Sequence, residues 1–155
     1  VKAAIRIVGM VAGGREHLAA GVDVGDPALL VPEPDNPHDP NAVRVHIAPF
    51  EALRQPYRVS SSITDPDRVG SIDDEDLPLL LERHVGYVPR DFAAQLEVPA
   101  GGIVGYVSRI RHAPPEYLSG GRPAPPRVVG FDVTAWWPMR TDAGEEWAVA
   151  EEVAT

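Results

Sequence analysis

The chain contains no cysteine, which excludes disulfide staples and thiolate-held zinc and suits a reducing compartment such as the cytoplasm. It also lacks any apolar run approaching the ~20 residues that a membrane-crossing helix needs. Its first residues show no basic stretch followed by an apolar one, so a soluble module with no membrane partner is the expectation. Positive charge is scarce. Fourteen basic residues against 23 acidic ones leave a formal net charge of −9, which makes long-range attraction to phosphate weak. Lys2 is the single lysine and arginine supplies the other basic residues; guanidinium groups suit bidentate contacts with carboxylate or phosphate. Catalytic signatures are missing as well. No glycine-rich phosphate loop follows a strand-like run and no Gly-x-Ser-x-Gly elbow occurs. The histidines His17, His38, His46, His84 and His112 show no short metal-ligand spacing, and His38-Asp39 is a lone pair of adjacent ligand types. The sequence therefore points away from an enzyme and calls for no cofactor.

What is present is heavily punctuated. Seventeen prolines and 14 glycines fall between short apolar runs instead of forming a repeat, the pattern of a β-rich fold with many turns. A length of 155 residues suits one domain with its own core. The acidity is localised. Residues 58–84 hold seven acids and three arginines, and residues 142–155 hold five acids and no base. These contributions of −4 and −5 account for the whole net charge, so the remainder of the chain is balanced. The expected organisation is a barrel domain over residues 1–140, interrupted by a long acidic insertion over 48–84 and followed by an acidic tail over 141–155.

Residues 3–11 alternate loosely and read as a first strand, with Gly9 allowing a bend. Residues 16–20 can form one helical turn ahead of Gly21. Runs at 28–31, 42–47, 85–88, 103–112 and 127–137 supply five further strands, the fifth with Arg109 and Arg111 on one face. Inside the insertion, acids at Asp73, Asp74, Glu75 and Asp76 precede Leu77, Leu79, Leu80 and Leu81. That order predicts a short helix over 74–83, capped by Ser71 or Asp73, covering one barrel edge. Pro89 at a first helical position introduces a second helix over 91–97. Six strands without strand-helix alternation give a mainly β fold: a small six-stranded antiparallel barrel with one or two short flanking helices.

The densest cluster of turn-formers is Glu33-Pro34-Asp35-Asn36-Pro37-His38-Asp39-Pro40-Asn41, between the second and third strands. Asn36-Pro37 and Asp39-Pro40 each set a short polar side chain before a residue of fixed φ, which biases it toward extended backbone and local hydrogen bonding. The corner is expected to be rigid, with its polar tips fixed in direction. This string, continued by Ala42-Val43-Arg44-Val45, is followed downstream by His84-Val85-Gly86-Tyr87-Val88-Pro89-Arg90-Asp91-Phe92-Ala93. Together they resemble the pattern of the HIRAN domain, an acidic-Pro-x-Asn-Pro-aromatic-Asp-x-Asn-Ala turn and then a Val-Gly-Tyr strand running into a helix. The likeness spans roughly residues 5–137. It implies an OB-like barrel acting as a non-catalytic module in DNA-repair settings, binding single-stranded DNA by a free 3′ end. Carried onto this chain, it implies that Asp39 accepts a hydrogen bond from the 3′-hydroxyl, that His38 occupies a stacking position and that Asn36 bonds base or sugar. Tyr87 would stack a base, and Arg90, at the helix start, would meet phosphate. The family commonly places an arginine and an aromatic after the first strand, where this chain has Val11 and Ala12, with Arg15 offset.

Each of these residues also has a structural reading. Asp39 and Asn41 can simply cap the turn, Tyr87 can pack the barrel mouth, and Arg90 can pair with Asp91 or the insertion. Arg109, Arg111 and Phe131 are weaker candidates for lining a groove. The acidic balance supports a second function class, a protein-protein interaction domain using the barrel groove or the acidic insertion.

Overall fold

The computed structural model describes residues 1–53 and 75–140. Ser71, Asp73, Asp74 and the acidic tail lie outside the described residues. Six antiparallel strands form one sheet: β1 (Lys2–Arg6), β2 (Pro27–Pro32), β3 (Val43–Ile47), β4 (His84–Tyr87), β5 (Ile103–His112) and β6 (Val128–Trp136). Their order across the sheet is β1-β6-β5-β2-β3-β4. The sheet curls into a half-barrel accompanied by two short helices, α1 (Leu77–Leu81) and α2 (Arg90–Ala93), and by 3-10 turns at Glu16–Ala19 and Phe50–Ala52. The mainly β, six-stranded antiparallel reading of the sequence holds.

Period-2 alternation sorts each strand between two apolar clusters. Ala28 and Leu30 of β2 face the concave core with Val45, Ile47, Val107, Val133 and Phe131, while Leu29 faces the opposite side with Ala48, Leu80 and Val104. Trp137 and Phe131 are the largest of the fully buried side chains, each 1% exposed. The Trp137 indole Nε1 donates to the Ala3 carbonyl at 2.9 Å, and its ring meets Phe92 edge-to-face at 5.2 Å. Burying side chains of this size contributes ~1.5–3 kcal/mol each, upper values that the chain's conformational entropy opposes. Helix α1 lies over the outer face of the sheet through Leu80, not along an edge as its sequence suggested. Asp76 takes its N-cap position and Pro78 sits within its first two residues, where a missing N–H costs nothing.

Several sequence boundaries move for identifiable reasons. β1 stops at Arg6 because the chain there changes partner. Ile7 N still donates to Phe131 O, but Val8 exchanges backbone hydrogen bonds with Tyr87, N to O at 2.9 Å and O to N at 2.8 Å. Gly9 then turns the chain away at φ +86°. The expected helix over 91–97 contracts to one turn with Pro89 at its N-cap, because Leu96 is drawn into a bridge with Met139 and Glu97 N donates to Pro138 O. Phe131, a candidate groove residue by sequence, is buried in the core instead. It shares the core face of β6 with Val133 and Ala135 at period-2 spacing.

The Val8–Tyr87 bridge joins the segment after β1 to β4, the opposite edge of the sheet. Close approach there requires glycine at position 86: a Cβ would stand 2.5 Å from the Val8 carbonyl oxygen. Gly86→Ala is expected to lower unfolding free energy by about 1–3 kcal/mol. Gly101→Ala, where an added Cβ meets nothing within 4 Å, is expected to change it by less than about 0.5 kcal/mol. Equal denaturant midpoints for the two variants would contradict closure at this point.

Candidate functional site

The corner between β2 and β3 is a nest of side-chain-closed turns. The Asn36 carboxamide oxygen accepts from the backbone N–H groups of His38 at 2.9 Å and Asp39 at 3.0 Å. Asn36 Nδ2 donates to Glu33 Oε1 at 2.9 Å. Asp39 Oδ1 accepts from Asn41 N at 2.9 Å, and Glu33 N closes the base of the corner on Ala42 O at 2.8 Å. Prolines on either side limit the backbone alternatives. The rigidity expected from the sequence therefore has a mechanism, and Asn36 is its main bracket. Its oxygen is committed to the turn, which leaves only amide hydrogen for a ligand.

From the other segment, β4 carries Tyr87 and the one-turn helix α2 starts at Arg90. The structure brings all five predicted residues together. Asn36, His38, Asp39, Tyr87 and Arg90 line one open cavity of about 350 Å³, with Val8, Ala42 and Val88 as its apolar surface. His38 and Arg90 are exposed, while Asn36, Asp39 and Tyr87 are half-buried. Arg90 makes no ion pair among the described residues, so the alternative reading of a pairing with Asp91 is not met, while most of the insertion lies outside those residues. A single helical turn has little macrodipole, so Arg90 acts through its own charge and not through a helix terminus. Arg109, Arg111 and Phe131 line none of this cavity; Arg111 is held by a bidentate bond to Asp132 at 2.7 and 3.0 Å.

Three charged residues that the sequence reading did not assign complete the site. Arg15 reaches back over the Tyr87 ring, its guanidinium carbon 5.9 Å from the ring centroid, and donates from Nη1 to Gly9 O at 3.2 Å. This is a cation–π arrangement. Glu33 accepts from the Tyr87 hydroxyl at 3.3 Å and pairs with Arg44 at 3.4 Å. Arg44 stands opposite Tyr87 in the β3–β4 register, so the ion pair ties the corner to β3 while the tyrosine hydroxyl ties it to β4. Burial, and then the Glu33 carboxylate, hold the Tyr87 hydroxyl above the usual phenol range. The Tyr87 hydroxyl is therefore neutral at neutral pH.

Behind Tyr87 lies a histidine pair. His84 meets Tyr87 edge-on at 4.8 Å and its Nε2 lies 2.9 Å from Gly86 O. His46, 1% exposed, lies 5.3 Å behind His84. Burial lowers the His84 pKa, helped by Arg15 and Arg44 against the opposing influence of Gly86 O and Glu33. Burial also carries His46 down to about 4, aided by His84 and Arg44 and resisted by the Leu80 and Leu81 carbonyls. Neither His46 ring nitrogen has a hydrogen-bond partner among the described residues. The same residues contain no group of three or more His, Cys, Asp or Glu side chains that could hold a metal ion.

The histidine pair sets a sign for acid sensitivity. Unfolded His46 takes up a proton near pH 6.5, whereas the folded chain resists protonation until about pH 4. Between these values the unfolded state holds more protons, so this contribution is complete above pH 6.5 and is lost as the pH falls through that window. Urea midpoints measured from pH 7 to pH 5 are expected to fall, and to fall less for His46→Leu; parallel slopes would contradict the burial argument. Asn36→Ala, which strands two backbone donors of the corner, is expected to cost about 1–3 kcal/mol in the same denaturation assay. A change within error would show that the prolines alone hold the turn.

A scan against protein-family models, a search of curated proteins and a search of solved structures each found no match to this chain.

Proposed function

We propose that the chain is a non-catalytic module that binds single-stranded DNA by a free 3′ end, the role implied by its likeness to HIRAN domains. The observation that supports this reading is the convergence of Asn36, His38, Asp39, Tyr87 and Arg90, from two segments far apart in sequence, on one cavity. The chemistry of the residues fits a nucleotide terminus. Asp39 spends Oδ1 on the corner, and its second oxygen carries no hydrogen bond among the described residues. A carboxylate accepts from a 3′-hydroxyl and repels a terminal phosphate, so it selects an unblocked end. Arg90 offers bidentate contact to a backbone phosphate. The His38 ring and the part of Tyr87 that lines the cavity offer stacking surfaces, each worth ~1–3 kcal/mol per base.

Local charge supports the reading where total charge does not. Arg15, Arg44 and Arg90 gather around Tyr87, while Glu33 is spent on Arg44, Asn36 and the tyrosine hydroxyl. The net charge of −9 then lowers association rate more than it disturbs contact inside the cavity. Such a module needs no cofactor, and a cysteine-free chain working on DNA ends suits a reducing, cytoplasmic setting in DNA repair. No helix among the described residues is long and apolar enough to cross a membrane. The same cavity, with the Asp39 carboxylate beside the apolar Val8, Ala42 and Val88, gives the alternative of a protein-interaction domain its support, since a basic side chain could dock there.

Fluorescence anisotropy with single-stranded hexanucleotides ending in 3′-hydroxyl or 3′-phosphate tests the proposal. The wild type is expected to favour the hydroxyl by about tenfold, the size of one charge-assisted hydrogen bond. Asp39→Asn, which keeps an oxygen for Asn41, is expected to erase most of that preference. Equal affinities in the wild type would remove end recognition, and displacement of neither oligonucleotide by a basic peptide would count against the alternative.

A further inference from the structure

Beyond Ala42 lies a second, larger cavity of about 570 Å³, which shares that residue with the first. One wall is the far side of the same corner, with Pro40 and Asn41, and the other is the exit of α2, with Ala93, Leu96 and Glu97. The second cavity is a trough between the corner and the α2 exit, and it adjoins the first at Ala42. Arg90 stands beside the first cavity and Arg140 beside the second.

The second cavity is firmly built. Arg140 N donates to Gln95 O at 2.9 Å, and Glu97 N donates to Pro138 O at 2.7 Å, so the chain before and at Arg140 runs as a paired segment beside the α2 exit. The guanidinium then reaches across the trough. Its Nε donates to Leu96 O at 3.2 Å and its Nη2 to Asn41 Oδ1 at 3.3 Å. These two bonds hold the group in a fixed orientation and leave Nη1 unengaged among the described residues. An oriented cation beside an apolar floor is the arrangement that suits a phosphodiester with its sugar and base lying along the floor.

We infer that this trough is a second subsite, holding the nucleotides that precede the 3′ terminus, with Arg140 meeting a backbone phosphate. The inference rests on the end-recognition reading above and extends it from a terminal contact to a strand path. It also assigns Asn41 a task beyond capping: its carboxamide oxygen aims the arginine. Glu97 borders the same cavity and opposes a phosphate there, so the phosphate belongs on the Arg140 side.

Isothermal titration with 3′-hydroxyl di- and tetranucleotides separates the subsites. The tetranucleotide is expected to bind at least about tenfold tighter than the dinucleotide, reflecting added stacking and phosphate contact. Arg140→Gln should weaken the tetranucleotide about three- to tenfold, lower its salt slope by ~0.7, the share of one single-strand phosphate, and leave the dinucleotide unchanged. Glu97→Gln should tighten the tetranucleotide alone. Equal affinity for both lengths would overturn the second subsite while leaving end recognition standing. So would an Arg140→Gln loss shared equally by both lengths, which would mark the arginine as a prop for the corner. Failure of both lengths to bind would remove the terminal contact and the strand path together.

Discussion

Two backbone hydrogen bonds between Val8 and Tyr87 constrain everything near the cavity. They draw the segment after β1 across to β4, which would otherwise be an open sheet edge with unpaired N–H and C=O groups. The approach is close enough that position 86 tolerates no side chain. Once the bridge forms, three consequences follow from chain geometry. Tyr87 is fixed at the mouth of the curled sheet, Val8 becomes part of the cavity wall, and the turn beginning at Gly9 returns Arg15 over the tyrosine ring. A backbone contact thus sets the positions of an aromatic, an apolar surface and a cation.

The opposite wall depends on a different kind of constraint. Prolines restrict the corner, but its shape is completed by carboxamide and carboxylate oxygens that accept backbone N–H groups from within the corner itself. Glu33 links the two walls, receiving Asn36 on one side and Tyr87 on the other while paired with Arg44. Within this half-buried network Arg44 Nε makes no hydrogen bond among the described residues and is held by the ion pair alone. The groups left over are those suited to a ligand: one oxygen of Asp39, the His38 ring and the Arg90 guanidinium. The same corner, seen from its other side, presents Asn41 to Arg140, so one rigid element shapes both cavities.

Much of this was legible in the residues. Period-2 runs located the six strands, and the Asn-Pro and Asp-Pro pairs marked the corner as stiff and polar before any coordinates. The five candidate residues could be named because the corner string and the Val-Gly-Tyr strand resemble the HIRAN pattern; turn chemistry alone implied capping and packing. Arg15 was not legible, because its place depends on Gly9 at φ +86° and Gly14 at φ +68°, and loop paths of that kind have no periodicity to read. Glu33 and Arg44 were hidden for a related reason: their pairing needs the β2–β3 and β3–β4 registers. Phe131 was misplaced although its period-2 spacing with Val133 and Ala135 puts it on the core face, whereas the helix after Pro89 was overextended because a bridge to Met139 captured Leu96. In that second case tertiary pairing overrode a sound local pattern.

The claim on which the account stands is that the proline-rich corner and the β4–α2 junction act as one binding surface. Backbone amide shifts followed by NMR during titration with a short 3′-hydroxyl oligonucleotide test it most directly. The account expects the largest changes at His38, Asp39, Tyr87, Val88 and Arg90, with Tyr117 and Leu118 on the exposed β5–β6 connection unmoved. Shifts centred on that connection, with the corner and the junction silent, would contradict it.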